Sequence, residues 1–229
     1  MNFKPKFKHS NSLEKYRFNT LYSKEPETIF WIKQFKNKET LIDIGANIGI
    51  YSIFAGKNNI KTYGVEPFKK NFLSFKKNIK LNKLKNDFAL NYAISNFKGT
   101  SYFNNGGDAR HGSSGGFVSK KRISKNDIVV KVITLDSLIR KLKIKSNFHI
   151  KIDIDKNLLE LLSGFKKTLR NKNLRSVLIE TELSERSAVI KFFKKFMKID
   201  YLEKKVKNHS SVRRTKNNST VRNILFVKN

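Results

Sequence analysis

Cysteine is missing from this chain of 229 residues. Its absence excludes a disulfide framework, a thiolate metal site and any chemistry that needs a cysteine nucleophile. Acids are scarce: 18 Asp and Glu stand against 49 Lys and Arg, a formal net charge of +31. No run of 18 or more apolar residues occurs, so no membrane span is expected. The basic N-terminus, Met1 to Ser10, is not followed by an apolar stretch, so no signal peptide is expected and the cytoplasm is the expected compartment. The four histidines, His9, His111, His149 and His209, show no ligand spacing, and no metal is expected.

What is present is enough for a core. Hydrophobic residues make up 38% of the chain and Phe alone contributes 19, which suits one domain, or one with a small appendage. The charge admits two readings. One is an anionic partner: a glycan, a nucleic acid or a membrane surface. The other is compositional, since Lys, Asn, Ile and Phe are all abundant. Lys far outnumbers Arg, whereas bidentate phosphate recognition favours Arg.

Residues 1–22 read as a loosely ordered basic arm. Ser23 to Glu27 reads as a helix start, with Pro26 in the first turn, running to about Lys36, so 1–38 form an N-terminal arm and helix. From residue 39 helices and strands alternate: strands at Thr40–Ile44, Lys61–Glu66, Phe88–Ile94, Phe148–Ile154 and Ser176–Glu180, with helices between them. That order predicts an α/β domain over 39–229, a mostly parallel sheet covered on both faces. Residues 95–128 carry Gly, Asn and Ser clusters and read as a long loop. Tyr201–Val206 and Asn223–Val227 are expected to pair as an antiparallel hairpin around a basic loop containing Arg213-Arg214-Thr215-Lys216.

The chemistry concentrates at Asp43-Ile44-Gly45-Ala46-Asn47-Ile48-Gly49. Gly45 permits a tight turn, Gly49 permits close packing, and the following helix N-terminus favours an anionic group. The spacing is neither the Gly-x-Gly-x-x-Gly of a dinucleotide fold nor a P-loop. Glu66 ends the next strand about 20 residues on, where an acid can accept from a ribose diol, and Pro67 stops that strand.

Asp43 to Ser52, Gly64-Val65-Glu66-Pro67, Asn91-Tyr92-Ala93-Ile94-Ser95, Thr134 to Leu138 and Ile150-Lys151-Ile152-Asp153 together resemble the FkbM-type methyltransferases that use S-adenosylmethionine (SAM). The resemblance covers roughly Thr40 to Glu180 and the closing strand Asn223–Val227. It implies a Rossmann-like class I methyltransferase fold, a seven-stranded sheet with a reversed final strand. It also implies methyl transfer to oxygen, often on a sugar or natural product. By position, Asp43, Gly45, Ala46, Asn47, Gly49 and Tyr51 would serve the methionine end of SAM. Glu66 and Pro67 would serve the ribose, and Asn91, Tyr92 and Ala93 the adenine. Asp153 would face the sulfonium and the acceptor. Where the family continues with an aliphatic residue and Glu-Gly-x-Glu, this chain has Ile154-Asp155-Lys156-Asn157-Leu158, a departure on the acceptor side.

Methyl transfer to an alcohol benefits from a general base. Asp153 is the first candidate and His111 the second, if its loop folds over the pocket; His149, within a strand, reads as structural. Glu180 and Glu182, at a strand end, read as solvated. Three functions follow: O-methylation of a saccharide or other small hydroxylated acceptor, methylation of a nucleic acid, or a SAM-binding relic. Against the second, the chain lacks the Asn/Asp-Pro-Pro-aromatic run of amino-methylating enzymes, and without cysteine it lacks the usual route to pyrimidine C5.

Overall fold

A computed structural model of the chain describes residues 5–200, 213–214 and 220–228. Its centre is a twisted sheet in the order β3-β2-β1-β8-β9-β12-β10. Here β1 is Thr40–Ile44, β2 Lys61–Val65, β3 Asp87–Leu90, β8 Phe148–Ile152, β9 Leu174–Glu182, β10 Lys198–Asp200 and β12 Thr220–Val227. All pairs are parallel except those of β12, which runs antiparallel to both β9 and β10. β1 and β8 are buried along their whole length. That burial explains why they read as short apolar runs rather than alternating ones.

Helices cover both faces. On one side α2 (Pro26–Ile32) and α3 (Ile50–Lys57) pack with Leu41, Leu178 and Leu225. On the other, α5 (Leu135–Leu142), α6 (Leu158–Ser163), α7 (Lys166–Leu169) and α8 (Leu183–Lys194) enclose Ile42, Ile150, Val177 and Phe226. Among the described residues, no helix is long and apolar enough to cross a membrane.

Four expectations are revised. The arm is not loose: Asn11 caps a helix, α1 (Ser12–Asn19), by accepting from the Glu14 amide, and Leu21 is fully buried. α2 ends at Ile32 rather than near Lys36. The third strand is two strands. β3 stays in the main sheet, while β4 (Ala93–Ile94) pairs with β7 (Ile128–Ile133) in a second sheet of order β4-β7-β5-β6. β5 (Gly99–Asn104) and β6 (Phe117–Ser119) fall inside the stretch read as loop. The hairpin expected between Tyr201–Val206 and Asn223–Val227 falls partly outside the described residues, since Tyr201–Val206 is not among them. β12 is bracketed by β9 and β10, with Arg213–Arg214 (β11) pairing beside it. Thr215 and Lys216 also lie outside the described residues.

α4 (Lys69–Leu81) is unusual in what it turns inward. Asn71, Ser74 and Asn78 are buried, as is Asn82 at its C-cap, while Leu73 and Leu81 are about 40% exposed. The asparagines close backbone that has no ladder of its own. Asn78 donates to the Ile48 carbonyl and accepts from the Lys8 amide; Asn82 bonds both the amide and the carbonyl of Lys6. This is how the arm is fastened to the sheet.

A buried amide with both ends engaged is expensive to delete, because its partners are left unpaired. Asn78→Ala is expected to lower stability by about 1–3 kcal/mol in urea titrations. Leu81→Ala, on the exposed face of the same helix, is expected to stay within about 0.5 kcal/mol.

Candidate active site

The C-terminal ends of β1, β2 and β8, with the Tyr92–Ile94 segment, frame an open cleft. Ile44, Gly45, Val65, Pro67, Tyr92 and Ala93 line it from the main sheet. Phe103, Phe117 and Val118 close it from the second sheet, and Ile154, Lys156 and Asn157 from the turn after β8. Most of the wall is apolar, which suits a flat heteroaromatic ring.

The turn after β1 needs its glycines for contact as well as conformation. Gly45 has φ +80, and a Cβ there would lie 1.8 Å from the Asp153 carbonyl oxygen. Gly49 has φ +83 and sits against the Phe75 ring of α4, 2.0 Å from where a Cβ would be. The Gly45 and Ala46 amides both donate to the Val65 carbonyl, locking the turn over the end of β2.

Glu66 is buried, and both its oxygens are used: Oε2 accepts from the Asn47 amide and Oε1 from the Phe68 amide, each at 2.9 Å. Burial pushes its carboxyl up to about 7, against the pull of those two amides. Asn91 donates to the Glu66 and Pro67 carbonyls, fixing the bend between β2 and the cleft. The Tyr92 hydroxyl accepts from Lys141. Asn47 reaches outward: its side chain donates to the Ser113 carbonyl at 2.7 Å.

Asp43 and Tyr51 lie beneath the cleft. Asp43 accepts from the Ser52 hydroxyl at 2.8 Å, and burial raises its pKa although Lys151 opposes the rise. Lys151 is itself buried, with Nζ 2.6 Å from Asp153 Oδ2, 3.8 Å from Glu25 Oε2 and 4.9 Å from the centre of the Tyr51 ring. Burial works against its charge, but the carboxylates of Asp153, Glu25 and Asp43 outweigh burial and hold its pKa above the ordinary lysine value. Asp153 keeps a partly exposed side chain at the end of β8.

His111 is placed elsewhere. Its Nδ1 pairs with Ser74 Oγ of α4 at 2.9 Å, and its carbonyl accepts from Asn11. The segment it starts runs as a strap: the Gly112 amide donates to Asn71, the Ser113 carbonyl accepts from Asn47 and Asn71, and the Gly115 amide donates to Asp155. His149 lies toward the opposite end of its strand, between Ser176 and Glu39 and stacked on Phe35 at 3.7 Å. Burial lowers its pKa although Glu39 opposes the fall, as befits a structural imidazole.

Sequence reasoning missed Glu25 and Asn71 as neighbours of the site. Only Asn71 left a trace: with Asn78 and Asn82 it repeats at helical spacing on the face where apolar residues belong.

The strand order, the reversed β12 and the glycine turn after β1 define a class I methyltransferase fold. Two solved structures share it. The magnesium protoporphyrin IX methyltransferase of Synechocystis PCC 6803, solved with bound SAM, aligns with TM-score 0.54 at 8% identity, over 97% of this chain and 86% of its own. An rRNA methylase of Streptococcus thermophilus aligns with TM-score 0.52 at 9% identity, over 89% and 94%. No curated protein sequence matches the chain. A family model described as the methyltransferase FkbM domain matches residues 43–206, and the chain belongs to that family of SAM-dependent methyltransferases.

Two outcomes are expected from the turn and its acid. Gly45→Ala and Gly107→Ala impose nearly the same φ, but nothing lies within 4 Å of a Cβ at Gly107. Gly107→Ala should lower stability by about 1–2 kcal/mol, the conformational term alone. Gly45→Ala should cost more than about 3 kcal/mol or prevent folding, read from thermal midpoints. Glu66 binds its proton more tightly folded than unfolded. It therefore adds stability below about pH 4.5, which is lost as pH rises through about 7. The stability difference between wild type and Glu66→Gln should fall by roughly 2–3 kcal/mol over that interval in denaturant titrations.

Proposed function

We propose that the protein transfers the methyl group of SAM to a hydroxyl oxygen of a saccharide or other small hydroxylated acceptor. The observation that carries this reading is Asp153. It stands at the end of the central strand β8, its backbone amide held by the Ile44 carbonyl and its Oδ2 by Lys151. It is also packed against the Gly45 turn.

The residues present fit the cofactor. The cleft offers Pro67, Tyr92 and Ala93 as a slot for the adenine, and Glu66, buried next to Pro67 at the end of β2, would serve the ribose diol. The Gly45–Gly49 turn, with Ala46 and Asn47, would receive the methionine end, supported by Asp43 and Tyr51. Asn91 acts through the backbone, shaping the bend rather than touching the ring. SAM supplies an electrophilic methyl carbon on a sulfonium.

Asp153 supplies the base. Lys151 fixes one carboxylate oxygen, and Oδ1, which has no hydrogen-bond partner among the described residues, takes the proton of the acceptor hydroxyl. The second sheet and the strap wall the acceptor side and limit water there. His111, held by Ser74, fastens the strap rather than moving a proton.

Calorimetry at pH 8 tests the cofactor site. Wild type should bind SAM with a dissociation constant of about 1 µM, on the order of −8 kcal/mol. Glu66→Ala should lose about a hundredfold or more; no heat with wild type would overturn the assignment. Asp153→Asn should bind SAM within about threefold of wild type. Its methyl transfer to a panel of hydroxylated sugars should fall by about 10²–10⁴.

A further inference from the structure

We propose that the exposed face of α4 is a docking surface for an anionic lipid bilayer. Lys69, Lys70, Lys76, Lys77 and Lys80 are all exposed on it, at spacings that keep them on one side of a 13-residue helix. Lys83 and Lys85 continue the charge past its C-terminus. No exposed acid interrupts this surface. Between Lys57 and Lys98 the acids are Glu66 and Asp87, and both are buried. Asp108, in the segment that Lys70 touches at the Ala109 carbonyl, is already paired with Arg110 at 2.7 Å.

Charge alone would suit any polyanion, and three features select the bilayer. Leu73 and Leu81 stand out among the lysines, 40% and 42% exposed, on a helix that buries Asn71, Ser74 and Asn78 beside Phe75. Exposed leucines do nothing for a phosphate backbone but enter the headgroup boundary of a membrane, with lysine stems lying along the same layer. The face carries no arginine, the residue suited to bidentate phosphate contacts. Its one aromatic, Phe72, already has the Lys69 and Lys76 ammonium groups over its ring, at 5.3 and 5.7 Å, which leaves it poorly placed to stack a base. The N-terminal end of α4 follows Glu66-Pro67-Phe68 directly, so a bilayer on this face lies beside the cleft rather than behind it. The inference does not rest on the identity of the acceptor.

The test is co-sedimentation of the full chain with vesicles of phosphatidylcholine alone, or of two parts phosphatidylcholine to one part phosphatidylglycerol. Wild type should partition onto the anionic vesicles only. Lys69→Glu, Lys76→Glu, Lys77→Glu and Lys80→Glu combined should lower that partition by about a hundredfold or more. The same charge change at the exposed Lys191, Lys194, Lys195 and Lys198, on and beyond α8, should lower it less than about threefold. Leu73→Ser with Leu81→Ser keeps every charge, and should lower it about tenfold. Equal losses in the two charge-reversed proteins would overturn the proposal, as would a leucine variant that binds like wild type. Loss of a single-stranded RNA oligonucleotide from the α4 variant with vesicle binding intact, read by anisotropy, would assign the face to nucleic acid instead.

Discussion

The structure turns on a buried lysine. Lys151 stands in the middle of the sheet, and its ammonium meets carboxylates from three separate pieces of chain: Asp43 of β1, Asp153 after β8 and Glu25 before α2. An unpaired buried charge would cost several kcal/mol, so the lysine dictates that these pieces arrive together. Burial raises the pKa of Asp43 and the neighbouring carboxylates of Asp153 and Glu25 add to the rise, so three acids around one base leave the junction short of positive charge. The arm is thus part of the site from beneath. Glu25 also accepts from Thr28, and the neighbouring Glu27 accepts from Asn223 of the reversed strand. Arm, central strands and closing strand therefore share one polar junction under the cleft.

The other side of the cleft is organised by neutral amides. α4 holds the arm through Asn78 and Asn82 and the strap through Asn71, while Asn47 of the glycine turn reaches the same Ser113 carbonyl as Asn71. Polar residues on the inner face of a helix are tolerated because each amide is matched by irregular backbone that no ladder satisfies. The inverse of that arrangement is visible outside, where Leu73 and Leu81 occupy positions an ordinary amphipathic helix would give to polar groups.

Much of this was legible in the order of residues. Strands buried on both faces leave apolar runs, and the turn between β1 and α3 needs glycines at fixed places, so Thr40–Gly49 and Glu66 could be placed by local rules. The second sheet could not. β5 and β6 are half-exposed, with Phe103 the one fully enclosed hydrophobic side chain between Gly99 and Ser119, and they are separated by glycines that read as loop. Phe88–Ile94 reads as one strand because nothing local marks the bend at Asn91; the bend is made by two carbonyls 24 and 25 residues earlier. Glu25 looked like a helix-start acid, and its partnership with Lys151, 126 positions away, is a property of packing alone. His111 sits in loop chemistry suited to a lid, and only the fold shows that its ring belongs to Ser74.

The distribution of acids bears on the charge. Glu14, Glu25, Glu27, Glu39, Asp43, Glu66, Asp87 and Asp127 are buried, eight of the 18 in the chain, whereas Lys151 is the one buried lysine or arginine among the described residues. Five of these acids accept backbone amides: Glu14 from Ser10, Glu39 from Lys36, Glu66 from Asn47 and Phe68, Asp87 from Thr62, and Asp127 from Ile123 and Ser124. A lysine has three donors and no acceptor, so it cannot take over such a post. A compositional pull toward lysine can therefore fill the surface but stops at these interior turns. The acids that remain are disproportionately internal, and the surface is more cationic than the overall count of charges conveys.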